Sequence, residues 1–237
     1  MNNIDTFVVN VSSCLYNADE FIQKSKFDSI YACINKDDSL NLRVSAKVLK
    51  TKDDIGSILN ISDIEKLLPI IKEFTGIKIS TDALLNSKLT RVDIKKDIHF
   101  EDALHDVISS LREIFSSCTT KNEVLTYYNK VGYNNSLLIK STFKTVKDSL
   151  CIYKKLNEMY LKRNNDNGYY YSFSDEFIQS YKNVLRFERK IQWVKALRKA
   201  LHVSNDEKVT LKHIFDCTFD LLGEKVNSLI GNIKEVA

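Results

Sequence analysis

The chain has 237 residues, with 35 basic and 31 acidic side chains for a net charge of +4, and only 6 Gly and 1 Pro. With 43% hydrophobic residues, this composition excludes collagen-like, linker-rich and low-complexity disordered chains and provides for a core of ordinary size. No apolar run approaches the roughly 18–20 residues of a membrane span, and MNNIDTFVVNVSS lacks the basic head and long apolar body of a signal peptide, so a soluble, intracellular protein with no membrane partner is expected.

The pattern IDTFVVNV from Ile4 to Val11 alternates β-branched and aromatic residues with polar ones, and SIYACIN and LNLRVSAKV follow after short polar breaks; three strands are predicted. SDIEKLLPIIKEFTGI then reads as a helix, with Ser62, Asp63 and Glu65 at its start and Ile64, Leu67, Leu68, Ile71 and Phe74 along one stripe. Pro69 lies inside that stripe and predicts a kink or a shorter first turn. KLTRVDIKKDIHF reads as a strand with Leu89, Arg91, Asp93 and Lys95 on one face and Thr90, Val92 and Ile94 on the other. EDALHDVISSLREIF follows as an amphipathic helix whose apolar stripe is Leu104, Val107, Ile108, Leu111 and Phe115.

TYYNKVGYNNSLLIKST and KDSLCIYKKLNE contain two or three strands, the last ending near Tyr153, and the polar KRNNDNGYYYSFSD reads as a loop or strap. NVLRFERKIQWV resumes as a strand and the remainder is helical in character. These elements predict an α+β protein, an antiparallel sheet with helices on one face, divided as residues 1–194 followed by a helical segment 195–237 packed on it, or forming one continuous domain with it. The five cysteines, Cys14, Cys33, Cys118, Cys151 and Cys217, form no C-x2-C pair, which fits reduced thiols in a cytosol.

Three segments carry charge where a strand is usually plain: Arg91 with Asp93, Tyr153 with Lys155 and Glu158, and Arg186 with Glu188. Residues two apart on a strand share a face, so neighbouring strands would gather carboxylates, a tyrosine and cations. Such a cluster can be a row of solvated cross-strand ion pairs. It can also be chemistry: converging carboxylates suit a hard cation such as Mg²⁺ or Mn²⁺, and a tyrosine beside them can attack a phosphodiester. Lys190, Lys195, Arg198 and Lys199 surround Trp193 and Leu197 in a stretch with no acid between Glu188 and Asp206, a candidate DNA-binding helix or an ordinary solvated one. Ser45 and Lys47 could likewise touch DNA, although their spacing does not require it.

In their order, MNNIDTFVVNV, LRVSAKVLKTKDDIG, LTRVDIKKDIHF, CIYKKLNE and VLRFERKI with ALRKALHV resemble the phage replication proteins of the filamentous-phage gene II type, which are rolling-circle initiators. The resemblance implies a site-specific nicking and joining enzyme of the host bacterial cytoplasm, working on supercoiled or single-stranded origin DNA with host replication proteins. It matches Tyr153 to the nucleophile that takes the 5′ phosphate, Lys155 and Glu158 to the rest of a Y-x-K-x-x-E string, and Asp93 and Glu188 to acidic positions. With Glu158 these acids are the inferred Mg²⁺ or Mn²⁺ ligands, and Arg91 and Arg186 the phosphate clamps or orienters. The His-hydrophobic-His string of many rolling-circle nickases is missing, and His99 and His105 stand apart from each other. Tyr127, Tyr128, Tyr133, Tyr169, Tyr170 and Tyr171 are alternative nucleophiles, most of them better read as packing residues or aromatic platforms, with stacking on single-stranded bases open to the Tyr169, Tyr170 and Tyr171 triplet. A non-catalytic DNA-binding or regulatory protein is the alternative, and a protein whose charged strands form only surface pairs is a third reading.

Overall fold

A computed structural model describes residues 2–18, 21, 29–51, 54–101, 107–118, 122–128, 134–141, 147–165 and 173–230. In chain order it contains β1 (Ile4–Val11), β2 (Tyr16–Ala18), β3 (Ile30–Ile34), β4 (Leu40–Ser45), α1 (Ile61–Thr75), β5 (Ile77–Ile79), α2 (Thr81–Leu85) and β6 (Lys88–His99). Next come α3 (Val107–Cys118), β7 (Asn122–Tyr128), β8 (Asn134–Ser141), β9 (Asp148–Lys154), α4 (Lys155–Asn165), α5 (Asp175–Gln179) and β10 (Val184–Gln192). The chain continues through α6 (Val194–Leu201), α7 (Lys212–Asp216) and α8 (Leu221–Ile230). The protein is α+β, built on antiparallel strands and helices. Among the described residues, no helix is long and apolar enough to cross a membrane.

The chain divides into two compact units, Met1–Ile94 with Ile191–Leu221 and Lys95–Lys190 with Leu222–Ala237, a different partition from 1–194 and 195–237. In the first unit the strand order is β3-β4-β1-β6, antiparallel throughout, with a separate β2-β5 ribbon. Phe7, Val9 and Val11 from β1, Leu40, Leu42 and Val44 from β4, and Leu89, Val92 and Ile94 from β6 enter one core. Helices supply the other half through Ile64, Leu67 and Ile71 of α1, Leu84 and Leu85 of α2, Leu197 of α6 and Ile214 of α7. Each fully buried aliphatic side chain contributes roughly 1.5–3 kcal/mol, so this one-sided stripe fixes which sheet face is covered.

The alternation predicted for β6 needs one correction. Val8 pairs with Arg91 but Val9 pairs with Leu89, so Thr90 is an extra residue in the strand. This bulge shifts the period: Leu89 joins Val92 and Ile94 in the core, while Arg91 and Asp93 keep the opposite face. The cap of helix α1 lies two residues before Ser62, the predicted opening residue, and the helix itself begins at Ile61. Asn60 is the N-cap, its side chain accepting from the Asp63 N–H at 3.2 Å, and Gly76 closes the helix at φ 68°. Pro69 is exposed inside a helix that runs on to Thr75.

Gly56 adopts φ +83°, and a Cβ there would collide with the Ala46 carbonyl oxygen. Gly56→Ala is therefore expected to destabilise the first unit by more than about 1 kcal/mol, read as a lower urea midpoint with an unchanged m-value.

In the second unit β8 pairs antiparallel with β7 and with β9, and β10 lies beside β9. Its core takes Leu137 and Ile139 from β8, Leu150 and Ile152 from β9, and Leu185 and Phe187 from β10. Ile108 and Phe115 of α3 and Leu222 and Leu229 of α8 complete it. The segment read as a strap is helical as far as Asn165 and helical again from Asp175, where the Ser174 side chain caps α5; Tyr169, Tyr170 and Tyr171 fall outside the described residues.

Candidate functional site

The alternation of β9 and β10 builds a polar face in the second unit. Leu150, Ile152, Leu185 and Phe187 point into its core, so the period of two sends Cys151, Tyr153, Arg186, Glu188 and Lys190 to the opposite side. There the half-buried Tyr153 hydroxyl donates to Glu188 Oε2 at 3.2 Å. This contact joins residues 35 positions apart, and it is the neighbouring-strand pairing that the sequence pattern anticipates.

Arg186 does not pair with Glu188, its neighbour two positions on. Its guanidinium forks onto Asp97 of β6, with Nε to Oδ1 and Nη2 to Oδ2 both at 2.6 Å. The arginine side chain is 4% exposed. Burial by itself would weaken its hold on the proton, but the Asp97 carboxylate, with Tyr153 and Glu158 close by, more than offsets this and keeps Arg186 firmly charged. Asp97 was not among the predicted site residues, although its place four residues after Asp93 on the same strand face was the available signal.

Lys155 and Glu158 belong to a helix, not to the strand face on which they were read. β9 ends at Lys154 and α4 begins at Lys155, so a helical separation of three residues brings Lys155 Nζ onto Glu158 Oε2. The lysine side chain is only 1% exposed. A buried ammonium is tolerated where a carboxylate meets it, and Glu158 also suits the positive end of the helix.

Cys151 stands on the same face as Tyr153. Burial first, and then the negative charge of Glu188, push its thiol up to about 12. The thiol therefore stays protonated near neutrality and lacks the thiolate that makes cysteine a nucleophile, whereas the phenol beside it contacts a carboxylate.

Arg91 and Asp93 lie in the first unit and pair with each other across two positions of β6, with Nε to Oδ1 at 2.8 Å and a second contact from Nη2 to Oδ2. Asp93 is 2% exposed and both its oxygens are engaged. Among the described residues no three His, Cys, Asp or Glu side chains are grouped to hold a metal ion; of the three acids expected to ligate one, Asp93 belongs to the first unit and Glu158 and Glu188 to the second. His99 is exposed at the end of β6, and His105 lies outside the described residues.

Of the basic residues proposed for DNA, Lys195 and Lys199 are exposed on α6 and Lys190 is half-buried on the polar face of β10. Arg198 is used differently: its Nη2 donates to the Glu207 carbonyl at 2.9 Å and ties α6 to the following turn. Trp193 is 49% exposed and holds a positive φ of 69° before α6, while its N–H donates to the Thr90 carbonyl at 3.1 Å. Ser45 is buried and its side chain accepts from the Lys47 N–H, which closes the short turn after β4.

No protein-family model matches this chain. No curated protein matches it either. Among solved structures, a rolling-circle replication initiator protein from Geobacillus stearothermophilus is similar at 12% identity, with a TM-score of 0.47, covering 97% of this chain and 83% of that one.

Proposed function

We propose that this chain is a rolling-circle replication initiator of the filamentous-phage gene II type, which nicks and rejoins one DNA strand at an origin through Tyr153. The observation that carries the reading is the Tyr153–Glu188 contact, made on a face where Arg186 is buried and permanently charged. A phenol needs a proton acceptor and a compensating positive charge to act as a nucleophile, and these two residues supply them.

In the proposed step Glu188 takes the Tyr153 proton and the phenolate oxygen attacks the scissile phosphorus. A bond forms between phosphorus and the tyrosine oxygen as the bond to the 3′ oxygen breaks, and that oxygen takes up a proton to leave as a 3′ hydroxyl. Arg186, positioned by Asp97, balances negative charge as it moves from the phenolate toward the phosphate. Lys155 holds Glu158 and so fixes the first turn of α4 behind the tyrosine. The 5′-phosphotyrosine keeps the energy of the broken bond, so a later attack by a 3′ hydroxyl rejoins the strand without a nucleotide cofactor.

A hard divalent cation requires only one or two protein carboxylates when substrate phosphates complete its shell. Glu188 and Glu158 both act electrostatically on Cys151 of this face, and they would hold Mg²⁺ or Mn²⁺, which when bound would polarise the scissile phosphate. Lys190, Lys195 and Lys199 would contact the DNA backbone, and host replication proteins would extend the released 3′ hydroxyl.

The test is a covalent adduct. A supercoiled circle bearing the origin of the replicon that encodes the chain, incubated with protein and Mn²⁺, should yield a nicked circle joined to protein in SDS, with the modified peptide containing Tyr153. A circle that is bound but never nicked would replace this reading with that of a non-catalytic DNA-binding protein.

A further inference from the structure

β6 and β10 are neighbouring strands, and two backbone hydrogen bonds fix their register. The Phe100 N–H donates to the Asn183 carbonyl at 2.9 Å in the second unit, and the Trp193 N–H donates to the Thr90 carbonyl at 3.1 Å in the first. As many residues lie between Thr90 and Phe100 as between Asn183 and Trp193, so the two strands run antiparallel with no net shift. Within that register Asp97 faces Arg186, the fork already described, and Lys95 faces Glu188. Both positions lie between hydrogen-bonded pairs, where facing side chains approach most closely.

The surroundings of Lys95 call for that partner. Lys95 is 4% exposed, and a lysine so far from solvent is matched by a carboxylate almost without exception. The residues two positions away on its own strand share its face, and both are acids, Asp93 and Asp97. Each has both oxygens engaged by an arginine, Asp93 by Arg91 and Asp97 by Arg186. Glu158 is taken up by Lys155. Glu188 stands directly across from Lys95, and on its other flank its Oε2 accepts from the Tyr153 hydroxyl at 3.2 Å. Lys190, two positions beyond Glu188, is half-buried and keeps access to water. A row Lys95, Glu188, Tyr153 therefore crosses β6, β10 and β9 in the second unit.

We infer that Lys95 is a positioning residue of the nicking site, pairing with Glu188 on the flank away from Tyr153 and holding that carboxylate in place to receive the phenolic proton. The pair rests on the register and on the burial of Lys95, whereas its use in the reaction rests on the proposed nicking by Tyr153. The proton passes from Tyr153 to Glu188, and Lys95 keeps its own. A carboxylate pinned by a buried cation stays turned toward the phenol, whereas one released from it divides its time among other orientations.

The experiment is a double-mutant cycle of Lys95→Met and Glu188→Gln on the full chain, read by thermal midpoint without DNA and by single-turnover adduct formation on the supercoiled origin circle with Mn²⁺. Each single variant leaves one charge without its partner and the double variant leaves none, so the double variant should melt above either single one. In the parent background Lys95→Met should slow adduct formation by up to about 10²-fold, the scale of a reacting group displaced by about an ångström. In the Glu188→Gln background the same substitution should change nothing, because the residue that Lys95 acts through is no longer a base. A lysine that served only to support the fold, or that touched the DNA itself, would slow both backgrounds alike.

A double variant that melts at or below Glu188→Gln overturns the pair. A rate loss that is equal in both backgrounds overturns the positioning role, as does a parental rate in Lys95→Met. Should Lys95→Met alone be too unstable to purify, the double variant measured against Glu188→Gln decides both points. The two readings fail separately: a parent chain that forms no adduct removes the nicking reading while the midpoints still decide the pair, and a failed cycle removes the role of Lys95 while the Tyr153 adduct stands.

Discussion

Tyr153→Phe is expected to abolish the covalent protein–DNA adduct while leaving DNA affinity and thermal midpoint at parental values. The substitution removes one oxygen from a half-buried ring and keeps the ring's packing, so loss of the adduct reports on the hydroxyl alone. Glu188→Gln should be graded where Tyr153→Phe is absolute. The amide can still accept the 3.2 Å hydrogen bond from the phenol but cannot take its proton, and the loss of a general base typically costs about 10²–10⁴ in rate. Single-turnover formation of the adduct reads both variants.

Cys151→Ser supplies the control. Its thiol lies on the same face but is pushed up to about 12, so the substitution should leave the rate of adduct formation unchanged. If Tyr153→Phe forms adduct at the parental rate, the proposed nucleophile is wrong. If Glu188→Gln matches the parent, another group accepts the proton.

The elements that the sequence discloses well are those whose periodicity is local. β1 occupies Ile4–Val11 as predicted, and β9 ends one residue beyond Tyr153. The placement of Tyr153 and Glu188 on one polar face was also legible, because both flanking strands alternate cleanly around core residues. What escaped depends on information that a period does not carry. The bulge at Thr90 changes the phase of β6 through its pairing with β1, which no pattern within KLTRVD reveals. The pattern groups Lys155 and Glu158 with the charges of the strand that ends near Tyr153, yet the helix that begins at Lys155 is what brings them together.

Long-range pairing was the other blind spot. Arg186 meets Asp97 across 89 positions, and Arg189 meets Asp148 across 41, separations that no local pattern encodes. The two short strands of the β2–β5 ribbon are three residues each, too brief for alternation to register. In the candidate site Tyr153 is singled out by the resemblance, through the Y-x-K-x-x-E string. The identity of the cation's true partner came only from the fold.

Asp148→Asn is expected to destabilise the second unit by about 3–5 kcal/mol, the cost of leaving a buried cation without its counter-ion. Asp148 accepts a fork from Arg189, with Nε to Oδ1 at 3.0 Å and Nη2 to Oδ2 at 2.9 Å, and Lys225 Nζ of α8 adds a contact at 3.3 Å. The three side chains are 16%, 7% and 11% exposed, so solvent screens the cations little. Asparagine retains the shape and an acceptor oxygen but none of the charge, and two cations would then face each other beside the apolar core. At roughly 2–4 °C per kcal/mol for a chain of this size, the midpoint should fall by about 6–20 °C.

The same cluster gives a sign for acid. Burial alone would raise the Asp148 carboxyl, but hydrogen bonds and charge from Arg189, with Lys225, more than offset that and hold it below the usual carboxylate range. A carboxylate depressed in the folded state stabilises the fold above its unfolded value, near about pH 4, and loses that contribution as pH falls through the folded value. The gap in midpoint between parent and Asp148→Asn should therefore be full at neutral pH and narrow below about pH 4. Lys66→Ala, which breaks a surface pair whose lysine is 64% exposed, should cost less than about 1 kcal/mol at any pH. A neutral-pH loss in Asp148→Asn no larger than that of Lys66→Ala would mean that the Asp148 cluster is not the buried clamp that joins β9, β10 and α8.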